Sequence, residues 1–464
     1  MTRLGFVVPV LAGVLACQPS DPPIADDDGG GGEESGAAGS SEGGEAASTA
    51  PVDDARYTYW RDVKPIVDAR CASCHKPGTI APFSLQTADE VVTLAPALRA
   101  ALELGTMPPW PPSGQCNTYA HDQSLPEDQR DVVLAWIDDG APLGDPADEP
   151  PAPPKADEIA WDAELVMPEA YQVSPEATDD YRCFVLDWPL DVPQYVTGFE
   201  AVPDQPSIVH HVIAFVIPPD QVQTYRAMDD GEDGPGYTCF GGPGGGFSQQ
   251  WLGAWAPGSR PSADPDRGIL VEPGSAVILQ MHYHPTPEPP ADRSKIRVTL
   301  ADEVRYQQYV LPFTDPSWVG GGGMMIPAGE KSVVHRFDID LIPFIGQFFP
   351  DAPLTAGEPF LVHTVSLHMH TRGTRASLTV EREDGGSECG LYIPRWDFNW
   401  QGGYKLVEPI TVNPGDQLSL TCEWDNTAEN QPIVDGEPMP AKNVYWGEGT
   451  GDEMCLAVLT VSAL

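Results

Sequence analysis

The residues able to do chemistry in this chain fall into a few tight groups. Only ten histidines occur in 464 residues, yet six of them lie in three short apolar segments: Ile208-Val-His210-His211-Val, Leu279-Gln-Met-His282-Tyr-His284 and Ser366-Leu-His368-Met-His370. A single buried histidine is more often a hydrogen-bonded core residue than a ligand. Three clusters in one acidic chain point instead to metal, and imidazole suits copper or zinc. Near the C-terminus, Gly451-Asp-Glu-Met454-Cys455 adds a thioether. Upstream stands Cys71-Ala-Ser-Cys74-His75, a C-x-x-C-H motif. Two thiols at that spacing can add to the two vinyl groups of one porphyrin, and His75 then lies under the iron as an axial ligand. A redox cysteine pair needs no adjacent histidine, and a zinc site wants a second ligand pair that the neighbourhood lacks.

These side chains need elements that aim them. Strand side chains alternate faces, so His368 and His370 point the same way and can chelate one ion, whereas His363 has the opposite parity. His282 and His284 share a face, so parity does not choose between them. Adjacent His210 and His211 reach one ion only where the strand bends or ends. Beyond residue 156, short apolar segments (209–217, 276–283, 296–300, 360–370, 376–381, 417–424 and 455–461) alternate with Pro- and Gly-rich turns. That spacing predicts antiparallel sandwiches, and about 305 residues suits two of them. The C-x-x-C-H region reads differently. Trp60, Val63, Ile66 and Val67 have helical spacing. Ser124-Leu-Pro-Glu127 has a capping-box pattern and opens a helix carrying Val132, Val133, Trp136 and Ile137, closed by Gly140. A small helical domain with haem bound after its first helix resembles class I cytochromes c. That resemblance implies a second axial ligand downstream. Met107 in Gly105-Thr-Met-Pro-Pro-Trp110 fits it, with His121 as the rival. The Pro-rich stretch 141–156 reads as a stiff linker to the strands.

The remainder of the sequence bounds the setting. Asp and Glu number 69 against 25 Lys and Arg, a net charge of −44, which excludes nucleic acid and anionic membrane surfaces as partners. Fifty-one prolines and 46 glycines favour a loop-rich β fold. Arg3 and the apolar run 5–15 read as an export signal, because a membrane span takes about 20 apolar residues. Val14-Leu-Ala-Cys17 resembles the cleavage box of bacterial lipoproteins, which implies that Cys17 becomes a lipidated N-terminus. Ten acids and no bases lie between Gln18 and Ala55, as expected of an extended tether. The expected organisation is a signal at 1–17, a disordered linker at 18–56, a haem domain at 57–150, and strand-rich domains at 157–308 and 309–464.

Taken in order, the adjacent His pair, the Gln-x-His-Tyr strand, the His-x-His strand, Ile326-Pro-Ala-Gly-Glu-Lys331 and Asp452-Glu-Met-Cys455 resemble the copper type II, ascorbate-dependent monooxygenases. This is the family of peptidylglycine α-hydroxylating and dopamine β-monooxygenases, and the resemblance covers about 160–464. It implies two jelly-roll domains with two coppers facing each other across a water-filled cleft. His210, His211 and His282 would hold an electron-transfer copper. His368, His370 and Met454 would hold the copper that meets O2 and would be the catalytic set. It also implies Cys183–Cys239 and Cys422–Cys455 disulfides, which leaves Cys116 and Cys389, with a pair between domains as one option. The peptide-amidating members place an Arg where this chain has Ser366 and a Tyr where it has Val458, which argues against a glycine-extended peptide. Trp396, Phe398, Trp400 and Tyr404 either line an apolar cleft or pack the core. The whole reads as an all-α cytochrome c-like domain followed by two all-β jelly-roll sandwiches. Its expected function is an exported, lipid-anchored copper monooxygenase that hydroxylates a C–H bond of a small molecule with O2. Two copper ions and one covalent haem c serve it, fed by ascorbate or a periplasmic redox protein. The competing function is electron transfer or copper binding without oxygenase activity. A zinc hydrolase fits worst, since no Glu stands beside the His motifs and thioether is a poor zinc ligand.

Overall fold

The computed structural model describes residues 56–464 apart from 73, 78–80, 82, 152–158, 176, 178–179, 240–241, 245–249, 256–260, 320–321, 350–351, 399, 435–436 and 448–450. The expected export signal, lipidated Cys17 and the acidic tether at 18–55 lie outside the described residues.

The first described region is helical. A π-helical turn, Tyr59–Val63, runs directly into Lys64–Arg70, and Ala88–Thr93, Ala95–Leu104 and Glu127–Asp138 follow. Their apolar faces meet around Tyr59, Val63, Val67, Leu85, Val91, Leu102, Val133 and Trp136. Glu127–Asp138 is not opened by the expected capping box. Its N-cap is Pro126 with no side-chain cap, because the helix begins too late for Ser124, whose backbone N–H is taken by Asp122. Gly140 does close it, at φ +86°, just past the C-cap residue Asp139. A true capping box stands elsewhere, between Thr87 and Glu90.

Two β-sandwiches follow. In the first, one sheet orders Ala163–Val166, Lys295–Ala301, Gln194–Val202, Arg267–Val271 and Tyr306–Gln307. The other orders Tyr237–Thr238, Asp180–Asp187, Ala276–Tyr283, Val209–Ile217 and Gln250–Trp255. Alternation divides the central strands between two faces. Val212, Ala214, Val216, Val277, Leu279 and Met281 fill the space between the sheets. Ile213, Phe215, Ala276 and Ile278 point outward, around the Cys183–Cys239 disulfide.

The second sandwich pairs a sheet ordered Tyr309–Phe313, Leu456–Ala463, Phe360–His368 and Gly403–Val412 with one ordered Lys331–Ile339, Gln417–Asp425, Gly373–Glu381 and Ser387–Ile393. Val365, Leu367, Ala457, Leu459, Leu378, Leu420 and Trp424 share its core. Each of the Val and Leu side chains among these contributes on the order of 1.5–3 kcal/mol by burial. Cys422–Cys455 joins the two sheets.

The helical region is not separate from this sandwich. The segment between its third and fourth helices, 105–126, is built into the second sandwich. Tyr119 is buried in that core, and backbone bonds tie Ala120 N–H to Lys405, Val407 N–H to Thr118 and Ser113 N–H to Tyr392. Cys116–Cys389 makes the attachment covalent, so the two leftover cysteines do pair across regions. Among the described residues no helix is long and apolar enough to cross a membrane.

Candidate metal centres

The first centre begins with a break in a strand. Val209–Ile217 pairs with Ala276–Tyr283, and the register slips between Val209 and His211. His210 is the extra residue of a β-bulge, which allows two consecutive side chains to reach one point. His211 then lies directly opposite His282. The Nδ1 atom of His282 is 3.2 Å from His210 Nδ1 and 3.2 Å from His211 Nδ1. Ligand atoms of all three lie within 4.8 Å of one another. A single proton can bridge only one such pair. Two nitrogens each about 2.0 Å from one ion at a tetrahedral angle lie about 3.3 Å apart, so the donor set fits a metal. Tyr181 stacks on His282 at 4.2 Å and 6° and fixes that ring. Burial first, then His282, His210 and His368, hold His211 well below the ordinary imidazole range, in the neutral form that ligates. His282 takes the place that parity left open. The strand ends at Tyr283, and the backbone N–H of His284 turns away to the Ile208 carbonyl.

The second centre sits where Phe360–His368 runs out. His368 is the last strand residue and His370 lies two beyond it, their rings 5.0 Å apart at 76°. His368 pairs with Leu456, so continuing the antiparallel count sets position 370 opposite Met454, which is buried. The His370 Nδ1–H donates to the Asp452 carbonyl at 3.0 Å. The His368 Nδ1–H donates to Gln401 Oε1 at 2.6 Å, and the Gln401 amide is oriented by its own donation to Phe398 O at 2.9 Å. With Nδ1 protonated, Nε2 of each ring carries the lone pair, the arrangement by which outer partners fix a ligating tautomer. Burial and then His370 push His368 down to about 3. Beneath the pair lies Glu453, fully buried. It accepts from the backbone N–H of His370 (2.8 Å) and Arg372 (2.7 Å) and from Trp424 Nε1 (2.9 Å), and burial pushes it up to about 7. Trp396 donates to the His370 carbonyl at 3.1 Å, and the Phe398 ring stands 6.0 Å from that of His370. These aromatics wall the centre, and Trp400 is half-buried beside them. Gln401 and Arg372 carried no motif that sequence reasoning could have used, and Glu453 lies within the Asp452–Cys455 motif but its supporting role was not read from it.

The two centres face one interface. Ser366 and His368 share the outward face of their sheet with Val458 and Leu456, their register partners. Leu456 and Val458 pack on Trp251 of the first sandwich, and Val310 N–H bonds Gln250 across the same seam at 2.9 Å. The electrostatic effect of His368 on His211 follows from this juxtaposition. His211, His282, His368 and His370 are each at most 4% exposed, whereas His210 is half-buried. His363 lies apart, at a second bulge between Val362 and Thr364. It is bonded to Ser462 and packed on Tyr306.

In the helical region, Cys71 and Cys74 occupy the turn that closes Lys64–Arg70, with the N–H groups of Cys74 and His75 on the Cys71 carbonyl. His75 is buried, and its Nδ1–H donates to Phe83 O at 3.3 Å, which places the lone pair on Nε2. Burial pushes the Cys71 thiol up to about 11. The donor set fits a covalent porphyrin with His75 as axial ligand. Met107 follows Ala95–Leu104 and is 36% exposed, and His121 has a left-handed backbone at φ +59°.

Residues 355–460 match the family described as copper type II ascorbate-dependent monooxygenase, C-terminal domain. Dopamine beta-hydroxylase of Canis lupus familiaris is 23% identical over 301 residues, 62% of this chain and 44% of that protein. DBH-like monooxygenase protein 1 of Gallus gallus is 23% identical over 306 residues, 61% of this chain and 44% of that protein. The chain thus spans less than half the length of these curated relatives. Among solved structures, the major capsid protein P2 from bacteriophage PM2 overlaps with a TM-score of 0.25 at 7% identity, covering 65% of this chain and 97% of that one, too little to bear on the fold. Over residues 355–460, this chain is therefore similar to the C-terminal domain of the copper type II, ascorbate-dependent monooxygenases.

Proposed function

We propose that the protein is a copper-dependent monooxygenase that hydroxylates a C–H bond of a small organic substrate with O2. One oxygen atom enters the C–H bond and the other leaves as water, which consumes two electrons and two protons. The observation that carries this reading is the pair of imidazole sets on two sandwiches facing one buried seam. One has three converging Nδ1 atoms; the other has two Nδ1 atoms already engaged by Gln401 and Asp452. Copper bound there would supply single electrons and activation of O2. The chain's own part is to hold it. His210, His211 and His282 suit an ion that cycles electrons, whereas a thioether at Met454 beside His368 and His370 favours the cuprous state that meets O2. Gln401 and the Asp452 carbonyl keep the ligating tautomers, and the surrounding aromatics exclude water.

The same seam bears on the substrate. Ser366 and Val458 are direct register partners on the His368 face, with Leu456 and Trp251 beside them. None of these four offers a cation, so the fitting substrate is apolar and lacks a carboxylate to be held there. We read the helical region as a class I cytochrome c-like domain, with haem c on Cys71, Cys74 and His75 and Met107 as second axial ligand. A haem held there would supply one-electron transfer from ascorbate or a periplasmic donor. We read the sandwiches as jelly rolls and the chain as an exported bacterial lipoprotein anchored through a lipid on Cys17 in the outer membrane, facing the periplasm or the cell surface. Three disulfides suit such an oxidising compartment.

The test is oxygen uptake by copper-loaded protein with a one-electron reductant, together with metal and haem content. The expected protein holds two coppers and one low-spin covalent haem per chain, and its reductant-driven uptake is lost in His368→Ala. Full copper loading without any uptake across a panel of apolar substrates would favour a copper-binding or electron-transfer protein instead.

A further inference from the structure

The segment that joins the third and fourth helices does more than tie two regions together. Its Trp110 ring lies 5.4 Å from the ring of Tyr404 at 89°, and Tyr119 closes the cluster at 5.8 Å from Tyr404. Tyr404 is the second residue of the Gly403–Val412 strand, paired with Val365 of the strand that ends in His368. Its phenol folds back over Gly402: a Cβ placed there would meet the Tyr404 Cζ and Oη at 3.5 Å. Next in the chain is Gln401, bonded to His368 Nδ1 at 2.6 Å. A line of ring contact, backbone and hydrogen bond therefore runs from Trp110 through Tyr404 and back along residues 403–401 to His368. On its far side, Trp110 is three residues from Met107, and Pro108 and Pro109 between them hold the backbone stiff. The line is clamped on both flanks. Cys116 is disulfide-bonded to Cys389, Asn117 Nδ2 donates to the Cys389 carbonyl at 2.8 Å, and Tyr119 donates to Gly390 O at 3.1 Å. Arg395 of the second sandwich donates to the carbonyls of Leu104 and Gly105, at the end of the helix that leads into Met107.

We propose that Trp110, Tyr404 and Gln401 form the electron path from the C-x-x-C-H region, and that electrons enter the protein's copper chemistry at the His368/His370 centre before the His210/His211/His282 centre. This rests on the haem reading given above. Tunnelling falls steeply with each unbridged gap, so a contiguous route to one centre selects that centre. The step moves one electron: ferrous haem iron becomes ferric as cupric copper becomes cuprous. No proton need move, because Gln401 keeps the His368 proton on Nδ1 throughout.

The test uses the full chain, copper-loaded and anaerobic, with the haem reduced by a light pulse. Haem reoxidation is followed by its absorption, and loss of cupric signal by paramagnetic resonance. The copper-dependent phase is expected to survive in His282→Ala and in Tyr404→Phe, which keeps the ring. It is expected to be lost in His368→Ala and in Trp110→Leu. Trp110 is only half-buried, so that variant tests the path even if Tyr404→Leu fails to fold. Survival in His368→Ala with loss in His282→Ala would reverse the order of entry and overturn the proposal. An unaltered rate in Trp110→Leu would overturn the path while leaving the haem assignment intact. Protein from a haem-attaching host that carries no covalent porphyrin would overturn the haem assignment and the path together.

Discussion

Replacing Gln401 with Leu isolates the support beneath one metal ligand. Gln401 cannot rotate without loss, because its amide nitrogen is spent on Phe398 O at 2.9 Å, which presents Oε1 to His368 Nδ1–H at 2.6 Å. Leu fills similar space and accepts nothing. His368 is 2% exposed, so its N–H would be left buried without an acceptor and its ring free to change tautomer. An orphaned buried donor costs about 1–3 kcal/mol. Lost outer-shell partners weaken metal binding by about 10–100-fold, or about 1.4–2.7 kcal/mol, and the two figures agree. The assay is anaerobic competition for cuprous ion against a coloured chelator, read at both centres. In Gln401→Leu, one copper per chain should bind about 10–100-fold more weakly while the other is unchanged. Gln401→Glu, whose carboxylate makes the ligand more basic, should retain or tighten binding. Equal weakening at both centres, or none at either, would refute the assigned role of Gln401.

Other expectations are separable from copper. His363 Nε2–H donates to Ser462 Oγ, which itself donates to Ala463 O, so protonation would add a charge at a buried Nδ1 that has no hydrogen-bond partner among the described residues. Burial first, then Arg267 and Lys405, push His363 to about 4 against partial relief from Asp264, with the Tyr306 ring packed on it. The unfolded chain takes up that proton first. Stability from this residue is therefore complete above about pH 6.5 and declines by about 3 kcal/mol as pH falls to about 4. Urea unfolding of metal-free protein across that window should show a slope that His363→Gln reduces, the remainder coming from His211 and His368. Glu453→Ala leaves two backbone N–H groups and the Trp424 indole N–H without their acceptor, so melting should reveal a loss of about 3 kcal/mol or more, with Glu453→Gln milder. Cys116→Ser opens a loop of 273 residues' separation, worth up to about 5 kcal/mol in chain entropy. Hydrogen exchange at Thr118 and Ala120 should accelerate in that variant, and unchanged protection there would show that the non-covalent clamps suffice.

Much of the site was legible because it follows from local rules. The same-face geometry of His368 and His370 follows from strand alternation, and the adjacent His210 and His211 demanded a bend that the bulge supplies. Alternating apolar segments gave the strands their faces, and the turn after Arg70 gave Cys71, Cys74 and His75 theirs. Long-range facts were not legible. Nothing local distinguishes Gln401 or Arg372 from ordinary polar residues, and Glu453, although inside the Asp452–Cys455 motif, gives no local sign of its role, since the partners of all three lie 33, 81 and 83 positions away. The pairing of Cys116 with Cys389 spans 273 positions, and with it the docking of Trp110 and Tyr119 on Tyr404 stayed hidden. The choice of His282 over His284 hinged on where a strand ends, which parity does not encode.

The central claim is that His368, His370 and Met454 hold one copper apart from the three-histidine centre. X-ray absorption at the copper edge of fully loaded, reduced protein tests it most directly. The account predicts a sulfur neighbour at about 2.3 Å on half of the copper, which vanishes in Met454→Ile while the nitrogen shell remains. A spectrum with no sulfur shell, or one that persists in Met454→Ile, would contradict it.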